Sequence, residues 1–499
     1  MFEKLGKFIV KRSKVVLLTF IITTIIAGAV GSLSFGRLDS GGYSDLNSDS
    51  AKAAKYVVDV FGAEEPVVVM VVDSASSTID DPAVASTAIE IEKKIQNHTG
   101  VSKTYSYWST GGSPTMKSKD GKAGFILVYS DIDAFDWDAL SAVGASLQEE
   151  FDGKYKNVQV YASGAGVITY AINHKIEKDL ILAESIAIPL TFLLLVFVFG
   201  ALVASATPLF VGVTAILGSF FIIYILTLFT NVSVFALNLI TGLGLGLGID
   251  YALLMVNRFR EELHNGHSVE ESVVTTVATA GKTVFYSGLT VLVTMASLLF
   301  FPLEFLKSFG YAGVAVITFA VIGAVIALPA LLAVLGEKVD KGVVRKSAIT
   351  PKEDGRWAHT ARNVMQRPVP VVIACLVVLG IMAAPVTNIS FAQVDSRVLP
   401  ASNPAAIASQ IVDTRFDGLI GSPIEVVVPN GVGREGEVTS FLDKVKNVEG
   451  IVRVGAIETY KQDIRVQVIS SVPSRSTDSM KVIHDIRDLE QPSGTLIGG

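Results

Sequence analysis

A chain of 499 residues, half of them hydrophobic and 18% charged, is too long and too apolar for one ordinary soluble domain, and its positive mean hydropathy points to a membrane protein. The net charge of -6 is spread along the chain, so no basic field marks nucleic acid as a partner. With Cys375 as the single cysteine, an internal disulfide framework and a Cys-based metal cluster are both excluded.

From the N-terminus, Lys4, Lys7, Lys11, Arg12 and Lys14 flank an apolar stretch from Val15 to about Leu33. The stretch is too long for a signal-peptide core and lacks a small-residue cleavage site, so residues 1–36 read as a basic terminus and a retained first span. Residues 37–178 carry strand signals at 66–72, 101–107, 123–131 and 158–162 and helix signals at 82–97 and 138–151. That order is the split βαββαβ unit.

Five apolar stretches follow, at 182–203, 207–229, 234–256, 283–301 and 311–335, each long enough to cross about 30 Å of hydrocarbon. They make residues 179–335 a five-span block. The linker 336–368 carries Lys338, Lys341, Arg345, Lys346, Arg356, Arg362 and Arg367 and is broken by Pro351. Its "RWAHTARNVMQRP" places Trp357, Ala361, Val364 and Met365 on one helical face, which suits a helix lying at the headgroups; a solvated loop fits equally. A seventh span occupies 369–389. Residues 390–499 then repeat the strand and helix signals, with strands at 424–428, 451–456, 464–470 and 495–497 and helices at 434–446 and 477–488.

The repeat is also visible in the letters. "SFGRLDS" after the first span is answered by "SFAQVDS" after the seventh, and "LNSDSA" by "LPASNPA". Such internal repeats typify transporters. On this pattern the chain holds a full first half and the opening of a second, and about five further spans are expected beyond it. Basic residues at the N-terminus, at Arg258 and Arg260 and in the linker place those segments in the cytoplasm, and the two polar regions on the opposite side.

Within the fourth span, "TGLGLGLGIDYALLMVNRFREEL" raises the functional question. Gly242, Gly244, Gly246 and Gly248 alternate, so successive glycines stand about 200° apart on a helix. Gly242 with Gly246, and Gly244 with Gly248, make two small-xxx-small pairs on nearly opposite sides, and neighbouring helices are expected to approach from both. A nucleotide loop is excluded by the spacing and by the absence of a following Lys-Ser/Thr. Asp250 lies roughly 9 Å before the charged helix end at Arg258. A carboxylate at that depth costs at least about 2.5 kcal/mol, so it is expected to face a cavity or a polar partner. Low-dielectric surroundings narrow the gap between the charged and neutral carboxyl, the property a proton-exchanging group needs. Tyr251 offers a hydroxyl that points about 100° away, toward another helix. A plain hydrogen-bond acceptor joining helices is the alternative role for Asp250.

Other polar residues say less. Ser287, in "FYSGLTV" of the fifth span, can bond across to the fourth span or to its own backbone carbonyl. Glu184 and Lys282 stand at span edges where snorkelling accounts for them. His174, His264 and His267 have no ligand partners at convincing spacing, Glu304 and Lys307 flank a short loop, and no metal or cofactor is expected.

"GLGLGIDYALLMVNRFREEL", "GKTVFYSGLTV" and "FPLEFLKSFGYAG" resemble the MMPL (mycobacterial membrane protein large) family of the resistance-nodulation-division superfamily. The resemblance covers nearly the whole chain. It implies two extracytoplasmic porter domains and export of lipids or other hydrophobic molecules driven by the proton gradient. It also implies Asp-Tyr pairs in the fourth and tenth spans as the relay; Asp250 and Tyr251 match the first pair, Ser287 a polar position beside it, and the second pair has no counterpart in this chain.

The leading expectation is therefore a proton-driven exporter of lipidic or amphipathic substrates, acting with the second half of the same transporter or with a second chain. A lipid-sensing receptor or scaffold is the alternative, because the five-span block also resembles sterol-sensing domains. An enzyme is not expected, since no nucleophile elbow, metal motif or phosphate loop is present.

Overall fold

The computed structural model describes all residues except 40, 43–44, 46, 63–64, 75, 134–135, 345–355, 389–394, 417–422, 473–475 and 499, and the side chains of 356 and 357. Helix α1 (Phe2–Lys11) and helix α2 (Ser13–Gly31) are separated by one break, at Arg12, with φ of -129° and ψ of 29°. The basic flank is thus a helix of its own. There follow α3 (Asp49–Phe61), β1 (Val68–Asp73), α4 (Pro82–Gln96), β2 (Lys103–Ser106), β3 (Ala123–Tyr129), α5 (Trp137–Phe151), β4 (Gly153–Tyr155) and β5 (Val158–Ser163). The long helices are α6 (Ala165–Phe199), α7 (Leu202–Leu226) and α8 (Ala236–His264), then α9 (Val269–Thr276) and α10 (Lys282–Ala296), which a π turn at Val277–Gly281 connects. A second π turn, Gly323–Ala327, connects α11 (Glu304–Ile322) to α12 (Leu328–Leu335); α13 (Arg356–Gln366) and α14 (Pro368–Ala383) come next. The chain closes with α15 (Pro404–Arg415), β6 (Ile424–Val428), α16 (Glu435–Val445), β7 (Ile451–Val454), β8 (Glu458–Tyr460), β9 (Asp463–Ser470), α17 (Thr477–Arg487) and β10 (Leu496–Gly498).

Seven helical runs among the described residues are long and apolar enough to cross a membrane: Ser13–Gly36, Ala165–Phe199, Leu202–Leu226, Ala236–His264, Val269–Phe300, Glu304–Asp340 and Pro368–Thr387. These are the seven expected spans, several of them longer than their apolar cores. The second ends earlier than its apolar run suggests, because Gly200 turns into the left-handed region at φ 71°. The chain divides into two compact units, residues 1–43 with 179–387, and residues 44–178 with 388–499.

In the sheet-bearing unit, both sheets are antiparallel. The first has the strand order β2-β3-β1-β5-β4; the second runs β10-β6-β9-β7, with β8 paired to β9. The first sheet is buried on both faces. Val68, Met70 and Val72 pack with Val84, Ala88, Ile91, Leu140 and Leu147 of α4 and α5, while Val71, Phe125 and Leu127 pack with Ile411, Val412 and Phe416. An uninterrupted apolar β1 is the sequence of a doubly covered strand.

The helix preceding each sheet in the chain packs on the other sheet. α15, capped by Asn403, lies on β5: Ser163 and Ser409 share a 3.0 Å hydrogen bond, and the Arg415 guanidinium donates to both carboxylate oxygens of Asp73 at 2.8 and 3.0 Å. α3, capped by Ser48, lies on β10 and β6 so closely that a Cβ on Gly498 would stand 2.6 Å from the Ser50 Cα. The two strand-and-helix regions therefore interlock. "NSDSA" and "LPASNPA" lead into these exchanged helices, whereas Leu46 and most of "SFAQVDS" lie outside the described residues.

In the helical unit, α7 is central and packs on α2, α8 and α11. Small residues set the separations: a Cβ on Gly31 would meet the Phe220 backbone at 2.7 Å, and one on Gly313 the Met295 side chain at 2.7 Å. α14 buries none of its residues. On α13, Ala361, Val364 and Met365 are exposed; the Trp357 side chain, Arg345, Lys346 and Pro351 lie outside the described residues.

Candidate functional site

The fourth span, α8, meets its neighbours along one glycine row. A Cβ on Gly248 would stand 2.7 Å from the Gly212 Cα of α7, and one on Gly244 would stand 2.6 Å from Ile216 Cγ1 and 3.2 Å from Val316 Cγ2 of α11. Among the described residues, nothing lies within 4 Å of a Cβ built on Gly242 or Gly246. The expected approach from two sides is thus realised on one within this chain. The other side is an open stripe of Asn238, Gly242, Gly246 and Asp250, all exposed and four residues apart. Residues at that spacing share a helix face.

Asp250 therefore stands on the outer surface of the helical unit, where the sequence led one to expect a cavity or a polar partner. Tyr251 turns inward and is 6% exposed. Its Oη lies 3.6 Å from where a Cβ on Gly288 of α10 would be, and Ser287 is its polar neighbour there. The hydroxyl is buried, with Ser287 as the group that can share a hydrogen bond with it among the described residues. Ser287, the fifth-span residue singled out from sequence, is thus brought to Tyr251.

The exposed side of the fifth span is rich in hydroxyls. Thr283, Thr290, Thr294 and Ser297 are exposed, and each donates to a backbone carbonyl three or four residues earlier, at 2.7 to 3.4 Å. This bonding satisfies the donor within the helix and leaves the oxygen lone pairs outward.

Charges at the far end of α8 fix its rotation. Arg260, 5% exposed, donates through Nε to Asp340 at 2.8 Å and through Nη1 to the Phe199 carbonyl at 3.1 Å, tying the fourth span to the ends of the sixth and second. Arg258 pairs with Glu261 at 2.8 Å and with the buried Glu262. His264 reaches Asp340 at 3.1 Å and His267 reaches Glu262 at 2.9 Å. Sequence reasoning used Arg258 and Arg260 only as orientation markers. The signal it passed over is Asp340 in "GEKVDKG", an acid among the linker cations. Among the described residues no group of three or more His, Cys, Asp or Glu is arranged to hold a metal ion.

A multi-pass helical membrane protein with two sheet-bearing regions is thus defined by the fold. The MMPL family model matches residues 43–371, and this chain belongs to that family. It is 32% identical over 455 residues to the membrane protein SCO6666 of Streptomyces coelicolor, an alignment covering 90% of this chain and 62% of that protein. It is 27% identical over 541 aligned positions to the trehalose monomycolate exporter MmpL3 of Mycobacterium tuberculosis, covering 98% of this chain and 57% of the exporter. It is 29% identical over 290 residues to the mycolic acid-containing lipids exporter MmpL11 of Mycolicibacterium smegmatis, covering 57% of this chain and 30% of that protein. The chain spans 57% to 62% of the length of the first two.

Proposed function

We propose that the protein is a secondary transporter that exports lipidic or other amphipathic molecules, driven by the proton-motive force, with Asp250 and Tyr251 as one half of a proton relay. The observation that carries this reading is the open stripe of α8. A carboxylate stands exposed at the end of a row whose Gly242 and Gly246 have nothing within 4 Å of a built Cβ among the described residues, one residue from a buried tyrosine hydroxyl beside Ser287. Exporter names on the relatives support lipid as the cargo.

The chemistry follows from the cost of charge in hydrocarbon, about 2.5–3.5 kcal/mol for Asp at the helix centre on insertion scales. Proton uptake turns Asp250 into a neutral donor that a partner helix can cover; release restores a carboxylate that must be solvated or hydrogen-bonded. Tyr251 and Ser287 supply hydroxyls that can accept from one form and donate to the other. Each proton crossing the full membrane potential contributes about 2.3 kcal/mol per 100 mV, enough to bias a rocking motion between two packings. The open stripe and the unburied α14 are where a second helical block, from the rest of the transporter or from a second chain, packs in this scheme.

The basic N-terminus and linker lie on the cytoplasmic side of the cytoplasmic membrane in this reading, and the sheet-bearing regions outside it as porter modules. Their split βαββαβ type is supported by the equivalent strand orders β2-β3-β1-β5 and β7-β9-β6-β10. The test is transfer of a labelled lipid by the full-length protein reconstituted in vesicles. An imposed pH gradient is expected to accelerate transfer, and a protonophore to abolish the acceleration. Transfer indifferent to both would refute proton coupling.

A further inference from the structure

We propose that the outward side of α1 is a binding surface for anionic phospholipid headgroups. The helix is docked by one face. A Cβ on Gly6 would stand 3.0 Å from the Val274 Cα of α9, the Phe2 ring meets Phe285 edge-on at 5.6 Å, Ile9 is fully buried, and Leu5 and Val10 pack on the same core. That docking holds the opposite face outward and in place. Lys4, Lys7, Phe8 and Lys11 are exposed on it, and Arg12 and Lys14 follow across the break.

The charge on this face is unmatched. Lys7 pairs with Glu3 at 2.6 Å, whereas Lys4, Lys11, Arg12 and Lys14 have no ion-pair partner among the described residues. Glu3 is the one carboxylate in the first 38 residues of a chain whose overall charge is negative. On the docking helix α9, Glu271 is held in a capping box with Ser268.

Depth supplies the second half of the argument. Lys14 immediately precedes Val15, and Val15, Leu18, Ile22 and Ile25 of α2 are all exposed apolar side chains that a bilayer must cover. The cations therefore adjoin the end of an apolar span on one side, where headgroups meet it, with Phe8, 54% exposed, among them. An amphipathic basic helix bearing an aromatic at that level combines electrostatic attraction with partial insertion. Topology alone asks only for cations near a span end; here they are fixed on one side of a folded helix. The inference is independent of the proton relay.

Native mass spectrometry of the full chain, equilibrated with phosphatidylglycerol or phosphatidylcholine, tests it. The protein is expected to retain phosphatidylglycerol in preference. The K4Q/K11Q/R12Q/K14Q variant is expected to lose that preference by about tenfold or more, whereas K4R/K11R/K14R keeps it and K444Q/K446Q on α16 leaves it unchanged. Should the quadruple variant fail to fold, salt decides on the unaltered protein: near 1 M, where the screening length is about 3 Å, the preference should collapse. Equal retention of both lipids, a salt-insensitive preference, an unchanged quadruple variant, or an equal loss in K444Q/K446Q would overturn the proposal.

Discussion

Gly248 and Gly212 bring the fourth and third spans together backbone to backbone: a Cβ on Gly248 would lie 2.7 Å from the Gly212 Cα and 2.9 Å from its nitrogen. No flexible side chain can yield there. G248A is therefore expected to destabilise the helical unit by about 1–3 kcal/mol, the range of overpacking, seen as a lowered thermal midpoint in detergent. In this chain by itself, G242A and G246A, with nothing within 4 Å among the described residues, are not expected to lower the midpoint. Equal sensitivity of both rows would contradict the one-sided packing.

Arg415 tests the helix exchange in the sheet-bearing unit. It joins α15 to the first sheet through Asp73, and to Asp120 at 2.9 Å. R415A leaves a largely buried Asp73 carboxylate without its donor, at a cost of about 1–3 kcal/mol. Proteolysis should then reach α15 sooner, and R415K should restore only part of the protection, because ammonium cannot bind both oxygens in the fixed fork.

Arg260 is expected to matter more than its neighbours on "RFREEL". Its removal takes one donor from the Phe199 carbonyl and leaves Asp340 with His264 alone. Because Asp340 is partly exposed and keeps His264, the expected cost is about 1–3 kcal/mol, the range for hydrogen bonds lost at a buried group. R260A should lower the thermal midpoint, while E261Q, whose partner Arg258 keeps Glu262, should be close to neutral by the same measurement.

Asp152 gives a pH prediction in the sheet-bearing unit. Burial disfavours its charge and holds its pKa above the ordinary 3.8, against the opposing hydrogen bond from the Ala162 N–H. Between the unfolded and folded values the native state holds more protons, so stability from this group is full below the unfolded value and is lost as pH rises through the folded one. D152N, which can still accept from Ala162, should equal the unaltered protein in mild acid and exceed it at neutral pH. A difference that grows toward acid would contradict the assignment.

The seven spans were legible because an apolar run long enough to cross hydrocarbon leaves few alternatives. The sheets were legible because period-two runs such as "IRVQVIS" hold alternating burial. α3 and α15 were not. "DSAKAAKYVVDVF" is short and mixes charges with small apolar residues, and the strand it covers, β10, lies over 400 residues away, so no local window contains the reason for the helix. The same limit applies at the site. Sequence marked Asp250, Tyr251 and Ser287 but not which way Asp250 faces, because the rotation of α8 is tied down by Arg260 bonding Asp340, 80 residues further on.

Asp250 is the residue proposed to exchange a proton on the open face of α8. The most direct measurement is pH-gradient-driven transfer of a labelled lipid by the full-length protein in vesicles, comparing the unaltered protein with D250N and D250E. Asn matches the carboxylate in size but cannot titrate, so D250N is predicted to lose the gradient-dependent part of transfer by a factor of about ten or more, the scale of a general acid–base group. D250E, which still titrates, should retain a measurable part. Gradient-driven transfer by D250N equal to that of the unaltered protein would contradict the relay.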